Sequence, residues 1–417
     1  MKVAFIVSTF PQLSEPWILN QVTGLLDMGH DVRIFSRAKY PQTKVHQAVI
    51  DYDLMERVRY FNIPIKKSAQ LIGGVVLAIR SLPGSPANIL RALNVIRYGV
   101  PVLSLSFVYA TLFPLNDEFD IIHCHFGTNG LIGAFLKDIG VTGRLVVSFH
   151  GHDVNSYPRT AGRNVYRKLF TNFNAFTANT KFTRDQMVNL GCDEKKIAIL
   201  PMGIRVDQFK FAEKKLSRGE PVRILSVSRI TEKKGHEFGI RALARLAGDG
   251  RDFEYVIAGD GPLKAGLEQL AAELGIADRV RFLGEVNQEE VLQLYKDSHI
   301  FLMPSVTAAN MDREGQAVAL QEAQASGLPV LSTYHNGIPE GVLEGESAFL
   351  VHERDVDALS ERLSFLLDHP EVWPEMGGAG RKFVAGRYDV TSLNRRLVSI
   401  YEAVLNDDAP AFRRAGL

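Results

Sequence analysis

The sequence predicts an α/β protein of two domains, each built on a doubly wound parallel sheet. Its 417 residues exceed what one compact core usually accommodates. Short apolar runs alternate with helix-length amphipathic segments, which is the pattern of parallel strands covered by helices on both faces. The alternation stops in a polar segment without periodicity, residues 206–220, and then restarts. We therefore predict a first domain over residues 1–205, a linker over 206–220 and a second domain over 221–387.

The first domain is predicted to contain six strands. Each is a short run rich in β-branched or aromatic residues, as expected for strands that are buried on both faces. The predicted strands are KVAFIVSTF, DVRIFSR, FDIIHCHF, RLVVSFHG, NAFTANT and KIAILPMGI. Helical periodicity follows in PWILNQVTGLLDMG, which closes at Gly29, and in GLIGAFLKDIG.

The second domain repeats the same alternation. The predicted strands are VRILSVSRI, FEYVIAGDGP, RVRFLGEV, SHIFLMPS, LPVLSTY and SAFLV. Helices such as HEFGIRALARLAG lie between them, and the amphipathic segment VTSLNRRLVSIYEAVL ends the pattern. Because open α/β sheets bind ligands beyond the carboxyl ends of their strands, we expect the site in a cleft where the two carboxyl edges face each other.

The composition excludes several classes of protein. Apolar residues make up 46% and charged residues 23% of the chain, which is ordinary for a globular protein. The two cysteines, Cys124 and Cys192, provide no disulfide framework and favour a reducing compartment. The opening MKVAFIVSTF lacks the features of a signal peptide, and no uninterrupted apolar run is long enough for a spanning helix. We therefore expect a cytoplasmic protein.

Charge is distributed unevenly along the chain. Residues 1–215 carry 26 Lys and Arg against 16 Asp and Glu, whereas residues 216–417 carry 22 against 31. Residues 57–116 contain seven basic residues and no acidic one, interleaved with apolar stretches such as LIGGVVLAI. This pattern is typical of amphipathic helices on an anionic lipid surface, although core helices with a solvated basic face would also produce it. We favour the membrane interpretation.

The loop SVSRITEKKG carries candidate ligands for an anion. It follows a predicted strand directly and brings Arg229 and Lys234 into one loop. A planar guanidinium and a compact ammonium suit a diphosphate that must be both held and neutralised. Lysine-rich surface loops are common, so this motif alone also fits a solvated turn.

The segment EGQAVALQE places two carboxylates, Glu314 and Glu322, around a predicted helix start. Free backbone N–H groups at Gly315, Gln316 and Ala317 would form an anion site there. On one helix the two glutamates would lie about 12 Å apart, so they could bind hydroxyls at both ends of a nucleotide sugar. The spacing by itself also fits two exposed glutamates on a surface helix.

Together these motifs resemble the GT-B glycosyltransferases, specifically the retaining glycosyltransferase family 4. The resemblance spans nearly the whole chain and is carried, in the family's order, by SVSRITEKKG, AGDGPL, FLGEV, EGQAVALQEAQASGLPVLST and HNGIPEGV. The segments TFPQLSEPWI, HCHFG and FHGHD resemble the branch that builds bacterial exopolysaccharides such as colanic acid. The resemblance implies a GT-B fold whose last segment, residues 388–417, crosses back to the first domain.

The resemblance also implies roles for individual residues. Arg229 and Lys234 match the pair that binds the donor diphosphate, and His150 matches the active-site histidine of the first domain. Glu314 matches the glutamate at the donor sugar, and Glu322 matches the one that binds ribose hydroxyls. The implied catalytic residues are thus His150, Arg229, Lys234 and Glu314. The further implied donor contacts are Gly284, Glu285 and Val286 at the nucleobase, and Gly315, Gln316, Ala317 and Val318 at the phosphates.

Two stretches depart from the family pattern. The usual aromatic residue and glycine between the glutamates are Gln316 and Ala317 here. The glycine-rich turn after the first strand is replaced by TFPQLSE, whose serine can cap the following helix. The residues expected on the acceptor side are Ser14, Glu15, His125 and Gly151.

Other residues raise the question of a metal ion. His123 and His125 share one face of a predicted strand, with Cys124 between them, but zinc needs three or four converging ligands. The pairs Asp51/Asp53 and Asp355/Asp357 resemble the metal-binding motif of GT-A enzymes, yet neither closes a strand. We expect no bound metal.

These inferences predict a metal-independent, retaining glycosyltransferase that needs no cofactor. It would move a hexose from a nucleotide-diphosphate sugar, with a UDP-sugar favoured, to a lipid-linked glycan in exopolysaccharide or lipopolysaccharide synthesis. It would act at the inner face of the cytoplasmic membrane, without a nucleic-acid partner. Two alternatives stay open: a GT-B protein that binds a nucleotide sugar or glycan without transfer, and a GT-B epimerase or phosphorylase.

Overall fold

The chain forms two compact units. The computed structural model describes residues 1–12, 15–39, 46–64, 66–114 and 117–415. Unit 1 comprises Met1–Pro201 and Thr391–Leu417, and unit 2 comprises Met202–Val390. Each unit contains one sheet of parallel strands, so the predicted fold class is confirmed.

Unit 1 is built on a sheet of seven parallel strands in the order β3-β2-β1-β4-β5-β6-β7. The chain starts at the centre, moves outward to β3, and returns past β1 to fill the other half, which is the doubly wound topology. The strands are β1 Lys2–Thr9, β2 Asp31–Ala38, β3 Val58–Tyr60, β4 Ile121–His125, β5 Arg144–Phe149, β6 Phe176–Ala178 and β7 Ile197–Ile199.

Helices cover both faces of this sheet. Alternate residues of β1 enter two different cores: Val3 and Phe5 pack on one face, whereas Ala4 and Ile6 pack on the other. The helices are α1 Pro16–Asp27, α2 Gln47–Asp51, α3 Lys67–Ser81, α4 Pro86–Ala92, α5 Val95–Tyr98, α6 Ser106–Ala110, α7 Gly127–Asp138, α8 His152–Asn155, α9 Tyr157–Ala161, α10 Arg167–Asn172 and α11 Lys181–Asn189.

The edge strand β3 corrects the interpretation of residues 57–116 as helices alone. Val58–Tyr60 pairs in parallel with β2. Three residues are too few to show a strand period, and this strand also carries a charged residue, Arg59, at its centre. The same segment also contains the helices α3 to α6, as expected.

Unit 2 contains a second sheet, of six parallel strands in the order β10-β9-β8-β11-β12-β13. Its strands are β8 Val222–Val227, β9 Phe253–Ala258, β10 Val280–Gly284, β11 Ile300–Met303, β12 Val330–Thr333 and β13 Ala348–Val351. Its helices are α12 His236–Gly248, α13 Lys264–Glu273, α14 Gln288–Asp297, α15 Val318–Ala325, α16 Val356–Asp368 and α17 Trp373–Arg387. Two separate apolar cores again cover the two faces of the sheet.

Residues 206–220, for which the sequence predicts a linker, lie within unit 2. Val206 and Phe209 are buried in its core. The Lys214 ammonium donates to the backbone carbonyls of Tyr295 at 2.7 Å and Lys296 at 2.8 Å, at the end of α14. These contacts join residues about 80 positions apart, so local periodicity does not reveal them.

The last two helices, α18 Val390–Leu405 and α19 Ala409–Ala415, return to unit 1. Leu397, Ile400 and Tyr401 of α18 are buried in the same core as Val3 and Phe5 of β1. This confirms the predicted return of the final segment to the first domain.

Candidate active site

The loops at the carboxyl edge of the unit 2 sheet carry most of the predicted donor residues. Arg229 and Lys234 follow β8, and Glu314 follows β11. Gly284 ends β10, and Glu285 and Val286 come directly after it. Arg229 is exposed, and Lys234 lies in a short turn that ends at Gly235. Gly235 has a φ of +67°, and a Cβ there would lie 1.8 Å from the carbonyl oxygen of Pro304. Only glycine therefore allows the β8 loop to approach the β11 loop.

The side chains of Lys234 and Glu314 form an ion pair at this edge. Lys233 reinforces it, with its ammonium 3.2 Å from an Asp312 carboxylate oxygen and 3.9 Å from Glu314 Oε1. Burial alone would raise the pKa of Glu314, but the ammonium groups of Lys234 and Lys233 outweigh it and lower the pKa to about 2. Glu314 is therefore a fixed negative charge at neutral pH. The roles of Lys233 and Asp312 went unrecognised in the sequence, since both belong to polar loops without a distinguishing pattern.

His335 and Glu353 hold the backbone of Glu314. His335 Nε2 accepts the N–H of Glu314 at 3.0 Å, and His335 Nδ1 donates to Glu353 Oε1 at 2.6 Å. The second oxygen of Glu353 accepts the N–H of Thr307 at 2.7 Å. Burial lowers the pKa of His335, although Glu353 opposes the shift, so the neutral ring with its proton on Nδ1 fits both of these ring hydrogen bonds, the one to Glu314 and the one to Glu353. Neither residue was predicted; a histidine just beyond a strand end, in HNGIPEGV, was the available signal.

Helix α15 begins at Val318, which corrects the predicted helix start at Gly315. Glu314 lies in the preceding loop rather than on the helix, so the two glutamates are not two turns apart on one helix. The Gln316 side chain explains the later start: its amide accepts the N–H of Met202 and donates to the Met202 carbonyl, both at 2.8 Å. The loop thereby stays outside the helix up to Ala317. None of the hydrogen bonds described uses the N–H groups of Gly315, Gln316 or Ala317, so they stay available to an anion.

Glu322 lies on α15, partly exposed, and accepts a hydrogen bond of 2.9 Å from the Tyr295 hydroxyl. Burial raises its pKa to about 6, and the Tyr295 hydrogen bond only partly offsets this. At the end of the edge strand β10, Gly284 has a φ of +73°, and its carbonyl accepts the N–H of Gly259 at 2.8 Å. Glu285 is exposed and Val286 partly exposed beside it.

The predicted residues of unit 1 form a stack of neutral histidines. His123 and His125 lie on one face of β4 with ring centroids 4.4 Å apart. His125 Nδ1 lies 3.1 Å from His150 Nε2, and these two rings are stacked. Burial lowers the pKa of both His123 and His150 to about 3, so both are uncharged at neutral pH. His123 is tied to Tyr401 of α18 at 2.6 Å and to Ser148 at 2.7 Å.

Two ring nitrogens of the stack have no partner among the described residues. His125 Nε2 and His150 Nδ1 are both buried without a hydrogen bond. Buried polar atoms in native proteins are normally paired, so these two atoms are candidate contacts for a substrate hydroxyl. The structure thus brings His125 and His150 together, as the sequence suggested.

Of the remaining predicted acceptor residues, Gly151 directly follows His150 of this stack. Gly151, with a φ of +126°, donates its N–H to Asp153 at 2.9 Å, and Asp153 also accepts the N–H groups of Gly127 and His150. Glu15 precedes α1. The predicted residue Ser14 lies outside the described residues.

In the part of the chain that the structure describes, no group of three or more His, Cys, Asp or Glu side chains has an arrangement that could hold a metal ion. Of the acidic pairs, Asp355 caps α16 by accepting the N–H of Ala358 at 2.9 Å, and Asp357 pairs with Arg245.

Sequence and structure comparisons agree with this architecture. Residues 15–208 match the family described as Glycosyltransferase Family 4, and residues 207–383 match Glycosyl transferases group 1. The WcaL glycosyltransferase assigned to colanic acid biosynthesis in Escherichia coli (strain K12) is 35% identical over 97% of this chain and 100% of its own. The amylovoran biosynthesis glycosyltransferase AmsK of Erwinia amylovora is 34% identical over 86% of this chain and 89% of its own. The crystal structure of Anabaena HepE with UDP and glucose superposes with a TM-score of 0.70 at 16% identity, over 97% of this chain and 100% of its own.

Two Rossmann-like units with parallel sheets, together with these matches, define a glycosyltransferase with the GT-B fold. More specifically, the chain belongs to glycosyltransferase family 4.

Proposed function

We propose that this enzyme transfers a hexose from a UDP-sugar to a glycan acceptor during bacterial exopolysaccharide synthesis. The observation that carries the proposal is the carboxyl edge of the unit 2 sheet, where Arg229 and the Lys234–Glu314 pair lie beside the start of α15. The names of WcaL and AmsK support exopolysaccharide synthesis, and UDP in the HepE structure supports the donor base.

In the proposed reaction, unit 2 binds the donor. Lys234 and Arg229 take the diphosphate, together with the N–H groups before α15, so positive charge meets the charge that builds on the leaving group. Glu314, ionised and held by His335, accepts hydrogen bonds from sugar hydroxyls, and Glu322 accepts them from ribose. Gly284–Val286 flank the base. Because Lys234 already contacts Glu314, the donor would enter a site whose charges are oriented before binding.

The proposed stereochemistry is retention. The bond from the anomeric carbon to the diphosphate oxygen breaks, and an acceptor hydroxyl bonds to the same carbon from the same face. The hydroxyl proton passes to the departing diphosphate. His150 and His125 are neutral and can orient hydroxyl groups in unit 1 without holding a charge. Identification of the anomer formed from a defined α-linked donor, by NMR, tests this step; inversion would contradict it.

Metal independence is part of the proposal, because Arg229 and Lys234 supply the positive charge that a metal gives other nucleotide-sugar enzymes. Transfer should persist in excess EDTA. Loss of activity in EDTA that returns with added Mn²⁺ or Mg²⁺ would contradict this.

The direct test is a screen of UDP- and GDP-sugars for protection against thermal unfolding, followed by assays of nucleoside diphosphate release and of a new glycosidic bond. Release that requires an acceptor, together with a glycosylated product, supports transfer. Binding without release would instead indicate a binding protein. Products without a new glycosidic bond would indicate an epimerase or, with phosphate, a phosphorylase.

We also propose that unit 1 docks on an anionic membrane through α3 and the segments after it. Helix α3 packs Leu77 and Ala78 on the core, yet its other face exposes Ile72 at 68% and Ile79 at 67%. An apolar surface helix flanked by basic residues is typical of interfacial binding. No described helix has the length and apolar character needed to cross a bilayer.

Vesicle flotation tests the membrane proposal. Phosphatidylglycerol vesicles should bind the wild type, and the double variant Ile72→Asn/Ile79→Asn should bind about tenfold or more weakly, since each buried isoleucine contributes about 1.5–3 kcal/mol. The variant Leu274→Asn, at an exposed leucine of unit 2, is the matched control. Equal binding by the double variant and the wild type would exclude this surface.

A further inference from the structure

Arg37 is a half-buried arginine that has no carboxylate partner within the described part of the chain. It lies at the carboxyl end of β2, whereas Arg33 on the same strand has Asp31 at 3.7 Å. The ion pairs of the described residues do not include Arg37. Its side chain makes one long hydrogen bond, 3.4 Å from Nη2 to Ser106 Oγ. None of the residues outside the described ranges is Asp or Glu.

The position of Arg37 is unfavourable for an arginine that lacks a ligand. Burial lowers the pKa of its guanidinium, although nearby Tyr157 opposes the shift. The guanidinium has five N–H donors, and buried charges in native proteins are normally paired. Tyr157 begins α9, beyond the carboxyl end of β5, so Arg37 faces the same sheet edge as His125 and His150.

The polar groups around Arg37 are held in place. The hydroxyl of Ser106 lies 2.9 Å from Gln70 Nε2 and 2.8 Å from Ser104 Oγ. Gln70 also donates to the Ser104 carbonyl at 2.8 Å. Gln70 belongs to α3, the helix whose opposite face is apolar and exposed. Arg37 therefore lies between the sheet edge of unit 1 and the helix that we propose to dock on lipid.

We infer that Arg37 binds a phosphate or diphosphate group of the acceptor, which makes the acceptor a glycan joined to a lipid through phosphate. The planar fork of a guanidinium matches two phosphate oxygens, and an anion there would neutralise the unpaired charge. The surroundings are suited to an anion, because residues 57–116 and 154–184 contain no Asp or Glu. The inference rests on the proposed transfer to a lipid-linked glycan.

Binding of farnesyl diphosphate to the full chain, without donor, tests this inference by calorimetry. Arg37→Met should weaken binding by about tenfold to a hundredfold, as expected for a lost hydrogen bond to a charged group. Arg37→Lys should retain part of the affinity. Arg33→Met, on the same strand, should bind like the wild type. Equal affinity of Arg37→Met and the wild type would overturn the inference.

Two further measurements separate the alternatives. If Arg37→Met weakens binding to phosphatidylglycerol vesicles but not to farnesyl diphosphate, Arg37 recognises a lipid headgroup and the acceptor assignment is overturned. A melting temperature of Arg37→Met equal to or above that of the wild type supports a binding role; a clear decrease would indicate a structural arginine and overturn it. Release of UDP by the wild type is assayed in parallel, so a failure of the proposed transfer is seen independently of diphosphate binding.

Discussion

The carboxyl edges of the two sheets lie at equivalent places in two similar folds, yet their chemistry is opposite. In unit 2, Lys233 and Lys234 are paired with Asp312 and Glu314. In unit 1, the corresponding edge presents neutral histidines whose burial suppresses protonation, and two of their ring nitrogens have no hydrogen-bond partner among the described residues. The fold therefore provides the place for a ligand, whereas the loop residues decide which ligand can bind.

The difference follows from what each edge would bind. A diphosphate demands cations, and buried cations are tolerable before the ligand arrives only if carboxylates neutralise them. Sugar hydroxyls need neutral donors and acceptors, and an uncharged imidazole supplies one of each, a donor at the protonated nitrogen and an acceptor at the other. This difference between the two edges can be tested with four variants. Their expected effects on sugar transfer or donor binding are largest at the edge of the unit 2 sheet and smallest in the core of unit 1.

The largest effect is expected for Lys234→Ala. It removes a cation from the leaving diphosphate, so kcat/KM for transfer should fall by about 10³-fold. Steady-state assays of UDP release measure this loss, and Lys296→Ala, at an exposed lysine on α14, is the control. Transfer within about threefold of the wild type would remove Lys234 from the mechanism.

A smaller effect is expected for His335→Phe, which removes the acceptor for the Glu314 N–H. Glu314 would keep its ion pair with Lys234 but lose the hydrogen bond from its backbone N–H to His335, which fixes the orientation of Glu314. The kcat should therefore fall by about tenfold to a hundredfold. His335→Gln, which can still accept this N–H, should recover part of the rate. A decrease in melting temperature without a change in kcat would mean that His335 acts only on stability.

A pH-dependent effect of about threefold to tenfold is expected at Glu322. Because burial raises its pKa to about 6, Glu322 is ionised at pH 7.5 and largely protonated at pH 5, where it accepts ribose hydroxyls less well. The Kd for UDP should therefore rise as the pH falls through about 6. Because UDP itself takes up a proton in the same pH range, the measurement compares the pH dependence of the Kd in the wild type with that in Glu322→Gln. Identical pH profiles would contradict this role.

The smallest effect on activity is expected in the unit 1 core, for Tyr401→Phe. This change removes the hydroxyl bonded to His123 Nδ1 and leaves a buried nitrogen without a partner, so stability should fall by about 1–2 kcal/mol. Denaturant unfolding measures the loss, while transfer at a temperature well below the transition should stay near the wild-type rate. A loss of transfer as large as that of His335→Phe would extend the unit 1 site to α18.

Much of the fold could be predicted because it depends on local pattern. Runs such as KVAFIVSTF and FEYVIAGDGP correspond to β1 and β9, since a buried parallel strand is apolar throughout. The edge strand β3 is too short to show a period. Residues 206–220 looked like a linker because their contacts, such as Lys214 with Tyr295, are made with distant residues.

The residue types of the site were predictable, but their contacts were not. Arg229, Lys234, Glu314 and Glu322 fall at one sheet edge, as their order in the motifs suggested. The start of α15 was misplaced because Gln316 is tied to Met202, more than a hundred positions away. His335 and Arg37 were not predicted for a related reason, because a sequence does not show which residues a side chain contacts. His335 is distinguished by its hydrogen bonds to Glu314 and Glu353, and Arg37 by the lack of a carboxylate partner among the described residues.

The Gln316 side chain makes two hydrogen bonds to the backbone of Met202. This pair of bonds changes how a substitution at position 316 in a related protein should be interpreted. A carboxamide can donate and accept hydrogen bonds in the same plane, so it reproduces the pair of hydrogen bonds that a neighbouring β-strand would make to the backbone of Met202. A glutamate would place a negative oxygen against the carbonyl of Met202, and an aromatic ring could make neither bond. A substitution at position 316 therefore indicates, first, that the backbone at Met202 follows a different path. It indicates a different sugar preference only where that backbone path is unchanged.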